Sequence, residues 1–205
     1  MLLSIVCLAG GYIVGSLPTA YLVVKQKTGV DIRGSGSGNV GGFNAFQVTN
    51  SKSIGYAVGI LDGLKGLVAV LLVGYFLGEN FWLKSMGLFG SVIGHNYPVW
   101  LRFKGGRGLA TACGGLFLLG VGYTVIWCTM WVLIYRLKRD ILFANVLCIL
   151  ATPLILAGIP DSGIQALMVV SAGNATYLQF SAILSLILLL SHVDIIKNIL
   201  KSKTS

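Results

Sequence analysis

Two glycine clusters and one charged pair hold the residues of this chain that could do chemistry. The first cluster reads GSGSGNVGGFN over 34–44 and contains a literal G-x-G-x-x-G at Gly36, Gly38 and Gly41. That spacing cradles a dinucleotide when a strand precedes it and a helix opens at it within a βαβ unit. Here an apolar run over 2–24 and then the polar KQKTGVDIR come first. The acidic residue at about the right distance, Asp62, lies inside another apolar run. Both flanks contradict a dinucleotide site. Glycines also permit the φ > 0 turns that point successive N–H groups into an anion-binding nest. Ser35, Ser37, Asn39 and Asn44 add side-chain donors. A merely flexible loop would explain the glycines but not the scarcity of charge.

The second cluster is Lys104, Gly105, Gly106, Arg107 and Gly108, directly before an apolar run that begins at Leu109. A helix N-terminus with bare amides, a positive dipole end and two flanking cations is an anion site. It is not a Walker loop, because G-x-x-x-x-G-K-[ST] occurs nowhere in the chain. An ordinary basic loop would need the cations but not three glycines. The charged pair, Asp62 and Lys65, stands three residues apart on one helix face in mid-run. Charges there are costly unless they pair or face a polar cavity. A structural ion pair is expected, with a transporter-like proton relay as the sharper alternative.

The elements that must carry these groups are set by composition. The 205 residues are 56% hydrophobic and 10% charged, with a mean hydropathy of +0.87. A soluble domain carries about 25% charged residues, so this is an integral membrane protein. About 20 residues cross a ~30 Å hydrocarbon core as a helix. Apolar runs occupy 2–24, 53–77, 85–101, 109–135, 141–159 and 164–191. The run 109–135 lies between Arg102, Lys104, Arg107 and Arg136, Lys138, Arg139. With basic loops facing the cytoplasm it must cross twice, and Gly120 and Gly122 offer the break. The expectation is one all-α polytopic domain over 1–205. It has about seven transmembrane helices, the N-terminus outside and the C-terminus cytoplasmic.

Of the 15 Lys and Arg, only Lys65, within a span, and Lys84, in an outer loop, depart from that arrangement. Lys25, Lys27, Arg33 and Lys52 follow the first span, and Lys197, Lys201 and Lys203 the last. The net charge of +9 then expresses the positive-inside bias. Anionic lipid headgroups are its natural neighbours, and no nucleic acid is implied. MLLSIVCLAG lacks the positive n-region of a cleaved signal peptide. Cys7, Cys113, Cys128 and Cys148 are isolated, which fits small buried residues rather than a disulfide or a metal site. Gly55, Gly59, Gly63 and Gly87, Gly90, Gly94 form two stripes that suit close helix packing. Physics alone thus points to a membrane enzyme or carrier that handles a phosphorylated, lipid-related substrate.

Three stretches resemble the bacterial acyl-phosphate-dependent glycerol-3-phosphate acyltransferases, the PlsY family. GSGNVGGFN is similar to that family's G-S-G-N-x-G-A-T-N, and LDGLKG to its D-x-x-K-G. GHNYPVWLRFKGGRGLAT is similar to G-H-x-F-P-V-F-L-x-F-K-G-G-K-G-x-A-T over nearly its whole length. The resemblance implies a seven-helix inner-membrane enzyme with its active site on the cytoplasmic side. It would move a fatty acyl group from acyl phosphate to the 1-hydroxyl of glycerol 3-phosphate, giving lysophosphatidic acid and phosphate. It implies no cofactor and no metal, and an association with the enzyme that forms acyl phosphate. The H-x-x-x-x-D pair of the other acyltransferase type is absent, since Trp100 follows His95 and Lys197 follows His192 at that spacing.

By position, the resemblance makes Ser37, Lys104 and His192 the catalytic candidates. Ser35, Gly36, Gly38, Asn39, Asn44, Gln47, Gly105, Gly106, Arg107 and Gly108 become the substrate-binding set. His95, with Asp62 and Lys65, is either structural or catalytic. The chain departs from the family at Gln47, where an arginine is usual, at Phe43 in place of threonine, and at Ile195, where asparagine is usual. The segment RDILFANV over 139–146 also lacks the family's serine. A non-catalytic paralogue that binds phosphorylated lipid precursors, or partners an active copy, is the alternative these losses raise.

Overall fold

The computed structural model describes residues 1–201, so Lys203 lies outside the described residues. Apolar sequence with few strand signals gives helices throughout: α1 Leu2–Gly15, α2 Thr19–Thr28, α3 Gly42–Thr49, α4 Lys52–Leu77, α5 Phe81–Asn96 and α6 Leu109–Leu119. Then follow α7 Gly122–Lys138, α8 Ile141–Ala157, α9 Asp161–Ala166, α10 Asn174–Leu190 and α11 Val193–Lys201. Local chemistry sets several ends. Pro18, which has no N–H to give, separates α1 from α2. Ser51, Asn80 and Asp140 cap α4, α5 and α8 by accepting from Ile54 N, Leu83 N and Leu142 N. Gly78 ends α4 at φ +77°.

Two stretches are long and apolar enough to cross a membrane, Leu2–Thr28 and Lys52–Leu77; α10 and α11, bent by 70°, make a third if read together. Helices α7, α8 and α10 have 17 residues each, the short edge of what crosses. The run 109–135 does break at Gly120 and Val121, between α6 and α7. The run 164–191 is not one helix. Its first part forms the end of α9 and an irregular stretch before α10. The polar loop after α2 contains α3, a helix too short to show as an apolar run.

The chain forms two compact units, residues 1–118 and 119–205. In the first, α1 and α5 pack through glycines from both sides. A Cβ at Gly11 would strike the Gly87 carbonyl, and one at Gly94 the Tyr12 carbonyl. The stripe on α4 behaves differently. Gly55 abuts Phe46 of α3 and Gly63 faces Ala110 of α6, but Gly59 has nothing within 4 Å. At the far end of α4, the buried Lys84 is neutralised by Glu79, so the one basic residue expected in an outer loop is paired. In the second unit, Trp131 of α7 donates to Asn145 of α8 at 2.7 Å. The Tyr123 hydroxyl meets Ser185 of α10 at 2.6 Å. Leu119 accepts from Val169 and Val170, tying the irregular stretch back to the start of this unit.

Gly90→Ala would bring a Cβ to 2.9 Å from both the Leu8 carbonyl carbon and the Tyr12 nitrogen. Overpacking of that kind costs ~1–3 kcal/mol, so the variant melts below the wild type. Gly59→Ala adds ~1 kcal/mol of helix propensity in open space and melts no lower. Equal melting temperatures for the two variants would contradict the close α1–α5 approach.

Candidate active site

The first glycine cluster is a folded loop. Asp31 opens it by accepting from the Arg33 backbone at 3.0 Å and from the Arg33 guanidinium at 2.6–3.2 Å. These bonds hold the Asp31 carboxyl down at about 2, below the usual carboxylate value. Gly36 and Gly38 stand at φ +60° and +72°, which only glycine adopts freely. The loop closes on Asn44, 1% exposed on α3. Its Nδ2 donates to the carbonyls of Asn39, Ser35 and Ile32 at 2.9, 3.1 and 3.3 Å, while its Oδ1 accepts from Ser37 N at 2.9 Å. Asn44 was expected to offer its donors to a ligand. In the structure they are spent on the loop's own backbone. Ser37 and Gln47 are exposed, and Ser35 and Asn39 are half-buried.

The second cluster lies on the end of α5. The last carbonyls of a helix have no partner within it. Gly105 N donates to Asn96 O at 3.1 Å, and Gly106 N to His95 O at 3.0 Å. These two amides were expected to be bare for an anion. They cap α5 instead, and the glycines are needed for that approach. A Cβ at Gly106 would run into His95 Nε2, and one at Gly105 would come within 2.7 Å of Asn96 O. Arg102 and Phe103, both bulky and both left-handed at φ +54° and +61°, reverse the chain just before Lys104. Lys104 is exposed, Arg107 half-buried, and Gly108 at φ +79° leads into α6. The two glycine clusters touch: Val40 N donates to Gly105 O at 3.2 Å.

Beneath the turn sits the charged pair, with more company than its spacing indicated. Asp62 Oδ1 receives Lys65 Nζ at 2.8 Å and the Thr19 hydroxyl at 2.6 Å, and lies 3.5 Å from His95 Nδ1. Asp62, Lys65 and His95 are 2%, 6% and 7% exposed. The cluster therefore joins α2, α4 and α5, and His95 carries it up to Gly106. A cavity of about 10 Å³ beside Lys65, His95 and Gly105 has room for about one water. Thr19 gave no sequence signal, being a single hydroxyl after a proline.

A groove of about 650 Å³, almost wholly apolar, runs along α4 and α6. Gly55, Gly59, Gly63, Ala110, Gly114 and Phe117 are among its walls, so it begins just past Gly108. The first unit thus holds every candidate from Ser35 to Gly108. His192 belongs to the second unit; it is fully buried, with Nδ1 2.8 Å from Leu188 O. Ile195, where the resemblance implies a polar ligand, is 4% exposed. Among the described residues no group of His, Cys, Asp and Glu could hold a metal ion.

The chain is similar to known proteins over nearly its whole length. A family profile described as Glycerol-3-phosphate acyltransferase matches residues 5–202. "Glycerol-3-phosphate acyltransferase 1" of Dehalococcoides mccartyi is 50% identical over 113 residues, 54% of this chain and 53% of that protein. For the relatives most similar in this way, the chain spans about half of their length. "Glycerol-3-phosphate acyltransferase" of Bradyrhizobium diazoefficiens is 33% identical over 200 residues, 98% of this chain and 93% of that one. The crystal structure of PlsY (YgiH), an integral membrane glycerol 3-phosphate acyltransferase, in its glycerol 3-phosphate form superposes with a TM-score of 0.78. It is 29% identical and covers 97% of this chain and 92% of its own.

Removing one partner of a buried pair leaves an uncompensated charge, at ~3–5 kcal/mol. Asp62→Asn is therefore expected to lower the melting temperature strongly, and Asp62→Leu with Lys65→Leu to recover much of the loss. Thermal melts of the purified variants check this. A single variant as stable as the wild type would show that the pair carries no structural weight.

Proposed function

Because the chain belongs to the glycerol-3-phosphate acyltransferase family, we propose that it moves a fatty acyl group from acyl phosphate to the 1-hydroxyl of glycerol 3-phosphate. The observation that carries this reading is the cationic glycine turn at the head of α6, with Lys104 exposed, beside an apolar groove on the same helix. A donor with a phosphate head and an acyl tail matches that pairing. Its head lies at the start of α6 with Lys104, and its tail runs along the groove past Gly59, Gly63 and Gly114. In the reaction the glycerol oxygen bonds to the acyl carbon, the acyl–oxygen bond to phosphate breaks, and phosphate leaves. The departing phosphate, or the acceptor's own, takes the hydroxyl proton, so no strong protein base is required. The protein supplies positioning and stabilises the charge on the leaving phosphate.

Ser37 and Gln47, exposed beside the turn, are assigned to the acceptor. His192, a catalytic candidate by resemblance, is buried within the second unit. The basic loops, and with them the site, are placed on the cytoplasmic face of a bacterial inner membrane, crossed seven times. The products, lysophosphatidic acid and phosphate, belong to phospholipid synthesis. An enzyme that makes the labile acyl phosphate is the expected neighbour.

A second reading, a non-catalytic paralogue, is favoured by Gln47 and Ile195, which stand where the resemblance implies an arginine and an asparagine. Purified protein with palmitoyl phosphate and glycerol 3-phosphate separates the two. Lysophosphatidic acid is expected, with Lys104→Ala lowering kcat/KM for palmitoyl phosphate about 10- to 100-fold through a lost charge-assisted contact. Gln47→Arg, which restores a bidentate fork, is expected to lower KM for glycerol 3-phosphate alone. No product from either the wild type or Gln47→Arg would favour the paralogue.

A further inference from the structure

Two polar side chains at the junction of α5 and α6 have no partner among the described residues. Asn96, 3% exposed, leaves both Oδ1 and Nδ2 unsatisfied, and Thr111, 0% exposed, leaves its Oγ1 so. Buried polar groups without partners are rare and each calls for an explanation. Threonines deeper in the helices solve the problem locally, whereas Thr124 on the first turn of α7 shares the position and the unpaired hydroxyl of Thr111. Thr49, Thr129 and Thr152 each donate to the carbonyl four residues back at 2.7–2.8 Å. Thr111 stands on the first turn of α6, where the residue four back, Arg107, is outside the helix.

Both groups lie where a helix offers unsatisfied N–H groups. Helix α6 has eleven residues, and the first N–H groups of a helix have no partner within it. Asn96 reaches the same point from α5: a Cβ at Gly108 would stand 2.6 Å from Asn96 Oδ1 and 2.7 Å from Val92 Cγ1. The glycine turn therefore rests directly on the unsatisfied carboxamide. Gly108, at φ +79° and without a side chain, leaves only backbone over it, its own carbonyl accepting from Ala112 N at 2.8 Å. Near this point stand an amide NH₂, a hydroxyl and helix N–H groups as donors, with Asn96 Oδ1 an acceptor, and the turn that leads into α6 carries Lys104 and Arg107. An excess of donors beside cations favours an anion with several acceptor oxygens.

We propose that Asn96 and Thr111 are ligands of the phosphoryl group received at the head of α6, Asn96 Nδ2 and Thr111 Oγ1 each donating to one of its oxygens. The assignment rests on the acyltransfer reading only for the identity of the ligand, since inorganic phosphate presents the same chemistry. The phosphoryl group gives Asn96 Nδ2 and Thr111 Oγ1 the acceptors they otherwise lack. Removing them relieves a burial cost in the first state and removes bonds in the second.

Melting of the purified protein is followed against inorganic phosphate, and KM is measured with palmitoyl phosphate. Without ligand, Asn96→Leu and Thr111→Val are expected to melt no lower than the wild type. Each is expected to need at least tenfold more phosphate for half of the full stabilisation. KM for palmitoyl phosphate rises by a similar factor while kcat changes little. Variants with a phosphate midpoint within twofold of the wild type would overturn the assignment, leaving only buried frustration. If Asn96→Leu is not recovered folded, Asn96→Ser and Thr111→Val decide by the same criterion. A wild type that phosphate stabilises but that forms no lysophosphatidic acid removes the acyltransfer reading and leaves the ligand assignment standing. A wild type that turns over, with variants that bind phosphate normally, removes the assignment alone. A wild type with no response to phosphate at all removes the assignment as well.

Discussion

A carboxylate in the middle of an apolar helix is the constraint on which the first unit is organised. Asp62 lies among the apolar residues of α4, where a bare charge is prohibitive. Three different stretches answer it: Lys65 from one turn along, Thr19 from α2 and His95 from α5. Because their partner is a single oxygen, the three helices cannot slide independently. His95 then passes the constraint upward, since the glycine turn rests on its ring and on its carbonyl. The charge in the span thereby fixes where the turn at the head of α6 can sit.

Glycine is the second half of the same device. Along α1 and α5 it lets two backbones come close without polar glue. In the turn it lets the chain fold back over the end of α5, so that amides close the helix. In the first loop it supplies the left-handed residues that Asn44 stitches together. One residue type does three different jobs, by close approach on α1, on α5 and at Gly105 and Gly106, and by backbone conformation at Gly36, Gly38 and Gly108.

The parts of this arrangement that are local were legible in the sequence. The membrane class, the extent of α4, the break near Gly120 and the contact-forming stripe Gly87–Gly90–Gly94 follow from composition and spacing. What depends on tertiary approach was not legible. The sequence offered Asn44, Gly105 and Gly106 as ligand donors because nothing local shows that their hydrogen bonds go to carbonyls brought in by folding. Thr19 and Asn96 carry no motif, and their roles appear only when α2 meets α4 and α5 meets α6. Helix α3 was hidden because GFNAFQVT is short and half polar, and the run 164–191 looked continuous because apolar content does not reveal an irregular stretch.

Amide hydrogen exchange across 104–108 tests most directly whether the Asp62 cluster positions the turn. In the Asp62→Leu, Lys65→Leu double variant, exchange at Gly105 and Gly106 should accelerate tenfold or more relative to the wild type, while the middle of α4 stays protected. Unchanged protection of those two amides would contradict the account, because the turn would then hold its place on the end of α5 without the buried carboxylate.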